Sequence, residues 1–242
     1  MIFDSNGNRE QDQENRGFRR QTRQRSLDAL YSNHFWQCHH FQLDIQLADH
    51  HNNLVARPYL TKITDLYSDC IMGIHLSFEA PNSKVVALAL RHAILPKHYG
   101  EEYALHYQWE TFGVPEYIVT DKSKHFQTRY LQHIAQKLAV QWVISYCNRA
   151  IAMEEISILE INTELLCNLP QCCGSYRQER QNTGANKGYL TIQELYLLLV
   201  NYIVNNYNQK VENLTQNQTK IQLWKTGLIA SPRIVDEQEF NI

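Results

Sequence analysis

From Trp36 onward the chain falls into short segments in which apolar and polar residues alternate, and FWQCHHFQLDIQL over 35–47 predicts a first strand. YLTKITDLY (59–67) and CIMGIHLSF (70–78) predict two more, divided by the turn-like Ser68-Asp69. Short connections between three consecutive strands predict an antiparallel meander. Pro81-Asn82-Ser83 then supplies a helix start, and VVALALRHAIL (85–95) is an apolar helix that stops at Pro96. A helix is predicted across Tyr103–Thr111. YIVT (117–120) is β-branched and predicts a buried strand, Leu131, Ile134, Ala135 and Leu138 recur at helical spacing, and VQWVIS (140–145) predicts the next strand. Two more helices are predicted over 150–167 and 191–207, the second with Leu195, Leu198, Leu199, Tyr202 and Ile203 on one face. The order βββ-α-β-α-β describes an α/β protein: a mixed sheet, built from a three-strand antiparallel meander plus βα units, with flanking helices.

Ahead of this pattern, residues 4–26 are nearly all polar, with Arg9, Arg16, Arg19, Arg20, Arg23 and Arg25 set among Gln, Asn and Glu. Such a stretch buries too little apolar surface to offset its chain entropy, so residues 1–27 are expected to form a disordered arm. Arg19, Arg20, Arg23 and Arg25 are its candidate contacts to DNA phosphates; the alternative is a solvated linker. The whole chain is not basic. Its 242 residues carry 23 Lys plus Arg against 25 Asp plus Glu, a net charge of -2, so any nucleic-acid surface must be local. With 43% hydrophobic residues the chain can build a core, which excludes a wholly disordered protein. Six irregularly spaced cysteines and a polar amino terminus lead to the expectation of a reduced, cytoplasmic chain, and no apolar run approaches the roughly 20 residues of a membrane span.

Candidate chemistry begins at Thr120-Asp121, directly after the YIVT strand and ahead of a helix. Carboxylates at the carboxyl ends of strands serve as catalytic groups and hard-metal ligands in α/β folds, although Asp is equally a helix cap. His34, His39, His40, His50 and His51, with Cys38, form a second cluster and raise the alternative of a His-rich metal-binding protein. Adjacent histidines on a strand point to opposite faces, which argues against one ligand set.

Several segments run collinearly with one family: WQCHHF (36–41), RPYLTKITDLYSDCIMG (57–73), LSFEAPNSKVVALALRHAILPK (76–97), FGVPEYIVTDKSKHF (112–126), INTELLCNLP (161–170) and YIVNNYNQ (202–209). Together they resemble the catalytic core of the large Mu-like, TnsB-type transposases of the retroviral-integrase superfamily. The resemblance implies an RNase H-like fold over residues 28–209, including a helical carboxyl-terminal cap. It makes 210–242 a linker toward a missing β-barrel domain. It also implies Mg²⁺ or Mn²⁺ as cofactor, held by two Asp and one Glu for DNA strand transfer, with transposon ends, target DNA and other transposase subunits as partners. Two metals about 4 Å apart stabilise the attacking and leaving oxygens of such a displacement.

Carried over residue by residue, the resemblance puts His39 where the family has its first catalytic Asp. Asp121 takes the second position and Glu155 the third, so Asp121 and Glu155 are the candidate catalytic and metal-binding residues. Lys124, close to Asp121, is a candidate DNA contact. Around Glu155 the family's paired glycines are Ile151-Ala152 and its arginine is Ile156; Asp65 matches a second Asp of the family's D-x-Y-S-R segment, and the arginine that should accompany it is Asp69. Family-like sequence stops after Ser145 and resumes near Asn162 without a change of length, the pattern that two compensating frame shifts would leave. Imidazole is a poor Mg²⁺ ligand and brings no negative charge to offset two dications, so catalysis is expected to be impaired. A non-catalytic remnant that binds DNA or a transposase is the alternative.

Overall fold

The computed structural model describes residues 29–144, 156–169, 172, 189–211 and 217–236. Five strands form one mixed sheet: β1 (Phe35–Gln42), β2 (Tyr59–Asp65), β3 (Ile71–Ser77), β4 (Tyr117–Thr120) and β5 (Gln141–Ile144), in the order β3-β2-β1-β4-β5. The first three pair antiparallel, and β4 and β5 join parallel to β1. The meander is therefore as its alternation predicts. β1 is shorter than the 35–47 pattern, because beyond Gln42 the backbone leaves the strand pairing: Leu43 N–H donates to Pro58 O and Leu47 N–H to Ala56 O.

Side-chain parity divides the sheet between two cores. Trp36, Cys38, Ile63, Met72 and Ile118 point to one face, where they pack on helix α1 (Ser83–Ile94) and helix α2 (Arg129–Leu138). Leu60, Ile71, Ile74 and Leu76 point to the other, under helix α3 (Ile192–Asn205) through Leu195, Leu199, Val200 and Ile203. Local chemistry starts these helices where the hydrophobic pattern requires. The side chain of Asn82 accepts from the Lys84 and Val85 amides at the start of α1, and Thr191 and Glu194 form a reciprocal capping box on α3.

β3 is an edge strand, and side chains cover its outward backbone groups. The Asn208 amide accepts from Ile71 N–H at 2.9 Å and donates to Ile71 O at 3.1 Å, while Ile74 N–H donates to His92 Nδ1 at 2.9 Å. Trp109 Nε1–H also donates to Ile71 O.

Two expectations are corrected. Tyr103–Thr111 is not a helix: a 3₁₀ turn at Glu101–Tyr103 ends on Ala104 in the left-handed region (φ 48°), and the chain continues irregularly. Partners on α3 replace the helical bonds, since Asn201 donates to the carbonyls of Tyr103 and Ala104, and Asn205 Oδ1 accepts from His106 N–H. Nor do the described residues 217–236 form a linker. Helix α4 (Lys220–Thr226) buries Ile221 and Trp224 in the α1–α2 core, and Val235 joins them. Trp224 Nε1–H donates to Asn33 Oδ1, and a buried Lys220 pairs with Asp69 at 2.5 Å.

Candidate active site on the β1–β4 edge of the sheet

Strand register decides which predicted residues can meet. Gln37 is level with Val119 in the parallel β1–β4 pair, where the pairing ends. His39, two residues on along β1, shares the face of Gln37, which is the α3 side, opposite α1 and α2. Asp121 follows the last residue of β4, Thr120, so the first predicted position lies on β1 and the second just past the neighbouring strand. Asp121 is exposed, and its Oδ1 accepts from Ser123 N–H at 2.7 Å in a local turn. Lys124 is exposed in the 3₁₀ turn Lys124–Phe126. Glu155, Arg19, Arg20, Arg23 and Arg25 lie outside the described residues.

Antiparallel pairing adds a residue not anticipated from the sequence. His39 sits directly opposite Lys62 on β2, which puts both side chains on one face. Lys62 has no exposed surface, and its Nζ donates to Ser157 Oγ, also buried, on the helical segment over 156–160. A signal was present: Leu60, Lys62 and Thr64 share parity in YLTKITD, so a lysine stands in the inward row of a central strand.

Other acidic residues near the site have structural partners. Asp65 lies on the opposite face, fully buried, where its carboxylate accepts from Asn33 N–H, Ser68 N–H and Ser68 Oγ–H; burial pushes it up to about 6. It ties the entry of β1 to the β2–β3 turn. Asp69 accepts from Lys220 and from Tyr207 Oη–H at 3.1 Å, with Lys220 Nζ 3.7 Å from the Tyr207 ring centroid, so it anchors α4. Asp44 pairs with Arg57.

The histidines do not converge. His34 stacks on Tyr31, while His40 contacts Thr61 Oγ1 at 2.7 Å and stacks on Phe126. Among the described residues no group of three or more His, Cys, Asp or Glu side chains could hold a metal ion. Cys167 and Cys172 have their sulfurs 3.9 Å apart, and no helix among the described residues is long and apolar enough to cross a membrane.

The described donors do not fit a pair of magnesium ions. Mg²⁺ takes oxygen ligands in near-octahedral geometry; among the described residues the predicted positions offer one carboxylate and an imidazole, with a buried lysine across from the imidazole whose amino group donates a hydrogen bond to Ser157 Oγ.

A 3-2-1-4-5 sheet with chemistry-bearing positions on β1 and just past β4 defines an RNase H-like core of the integrase type. A chain of the simian T-cell lymphotropic virus intasome, solved in complex with PP2A regulatory subunit B56 gamma, has the same fold. It superposes with a TM-score of 0.53 at 18% identity, over 88% of this chain and 62% of that one. Residues 37–168 match the TnsB C-terminal domain family, and the chain belongs to that family. It is 29% identical over 197 residues to the transposase for transposon Tn552 of Staphylococcus aureus, covering 81% of this chain and 38% of that relative's length. The HTLV-2 integrase catalytic core domain in complex with magnesium is also similar, with a TM-score of 0.48 and 18% identity over 81% of this chain and 99% of that chain.

Proposed function

We propose that this chain is the integrase-type core of a transposition protein that holds DNA without performing strand transfer. DNA as partner follows from family membership, with Lys124 and the arginines Arg19, Arg20, Arg23 and Arg25 as contacts to the phosphate backbone. Transposon ends and target DNA are the substrates in question, and other transposase subunits are the protein partners.

The proposed loss of turnover is supported by His39 at the first ligand position, with a buried lysine, Lys62, directly across from it on β2. His39→Asp alone would therefore leave the Mg²⁺ or Mn²⁺ pair unsupported.

Melting of the full chain with and without excess Mn²⁺ tests this. A ligand at one hundred times its Kd stabilises the folded state by roughly 2.7 kcal/mol, so a working site gives a clear shift. The expected outcome is no shift for the parent or for His39→Asp, and an upward shift for the double variant His39→Asp/Lys62→Leu. A parent shift that Asp121→Ala removes would contradict the proposal.

A further inference from the structure

Although the chain is net negative, no Asp or Glu occurs between Lys122 and Met153, a stretch that contains Lys122, Lys124, Arg129, Lys137 and Arg149. Helix α2 runs through it and sorts the charges by periodicity. Leu131, Ile134, Ala135 and Leu138 are buried against the sheet, whereas Arg129, His133 and Lys137 are exposed. Their spacing is i, i+4, i+8, so the three form one ridge along the helix, with steps of about 6 Å and a length of about 12 Å. Gln136 is exposed beside them. Among the described residues neither Lys124, Arg129 nor Lys137 pairs with a carboxylate.

Solvated helix faces usually mix both signs, and unneutralised rows of one sign carry a field. The step along this row is close to the spacing of successive phosphates on a nucleic-acid strand, and amide side chains among the basic ones add donors for phosphate oxygens. Its position matters as much as its charge. α2 packs on the Trp36 and Ile118 face, while His39 and Lys62 belong to the α3 side. A duplex lying on α2 is therefore not the segment presented to the His39 and Lys62 face.

We infer that the Arg129–His133–Lys137 ridge is a second, sequence-independent binding surface for duplex DNA, separate from the candidate active site. It rests on the proposal that the chain holds DNA, and it adds where a duplex is held away from that site. Contacts are to phosphates, so binding is uniform across sequences and strongly salt-dependent.

The test is anisotropy of a labelled random-sequence duplex titrated with the full chain over a salt series. Arg129→Gln/Lys137→Gln is compared with the charge-matched control Lys84→Gln/Lys225→Gln. Each lost phosphate contact lowers the slope of log K against log salt by about 0.9, so the ridge variant should lose roughly 2 in slope and at least about tenfold in affinity. The control should stay within about twofold of the parent. If the double variant melts early, Lys137→Gln alone should still lower the slope by about 0.9. A ridge variant that keeps the parent's slope and affinity overturns the inference while leaving DNA binding intact. A parent that binds no duplex overturns DNA binding itself, and the ridge with it.

Discussion

Replacing His92 by Asn is expected to destabilise the chain at pH 7, and the gap between the two proteins is expected to close by about 3 kcal/mol on going to pH 4. His92 is on α1, where its Nδ1 accepts the outward Ile74 N–H of β3 and its Nε2–H donates to Tyr99 Oη at 2.7 Å. The ring is used as the neutral tautomer, and protonating Nδ1 breaks the bond to β3. Burial, with Lys97 nearby, lowers it from the ordinary 6.5 to about 3. A base whose folded value is depressed loses stability as pH falls from 6.5 toward 3, because the unfolded chain binds the proton first. Asp65 has the opposite sign. Raised to about 6, its contribution is fully present below 3.8 and lost as pH rises through 6, so a pH curve of the parent alone mixes the two. Subtracting the His92→Asn curve isolates His92. Urea unfolding of both proteins at pH 7 and pH 4 provides the measurement, and a gap that does not change with pH would show that His92 is not held neutral.

Gly73→Ala is expected to lower stability by about 3 kcal/mol, the upper end of what overpacking costs. A Cβ at Gly73 would lie 2.5 Å from the Ala93 nitrogen, 2.6 Å from its Cα and 2.8 Å from its Cβ. Two of those three atoms are helix backbone, so α1 must shift as a body, and His92 and Ile94 move with it. Adding Ala93→Gly removes only the Cβ contact and should recover little. The midpoint of urea unfolding reports the loss; full recovery in the double variant would mean that side chains, not backbones, set the approach of α1 to β3.

Where hydrophobic periodicity dominates, the chain could be read directly. β1 to β5, α1 and α2 fall where the apolar positions of the chain predict them, and the sheet order follows from a meander extended by parallel βα units. Two segments escaped because their partners are distant in sequence. Tyr103–Thr111 is composed like a helix, but Asn201 and Asn205 satisfy its backbone from α3. Residues 217–236 look like polar linker until Trp224 and Val235 are placed in the core and Lys220 is seen against Asp69. At the site, His39 and Asp121 were legible because they lie on or beside regular strands. Lys62 was not, since its meaning depends on the β1–β2 register, which motif spacing does not carry. Asp69, which stands where the family has Arg, proved to hold α4 in place rather than to mark loss alone.

The central claim is that a family-type core with His39 opposite Lys62 and Asp121 just past β4 holds DNA but does not join it. A strand-transfer assay measures this most directly: the full chain is incubated with a pre-cut transposon end and a target duplex in Mn²⁺, and joined product is counted. No product above that of Asp121→Ala is expected from the parent. Joined product from the parent that Asp121→Ala abolishes would contradict the claim and return this chain to the catalytically active transposases.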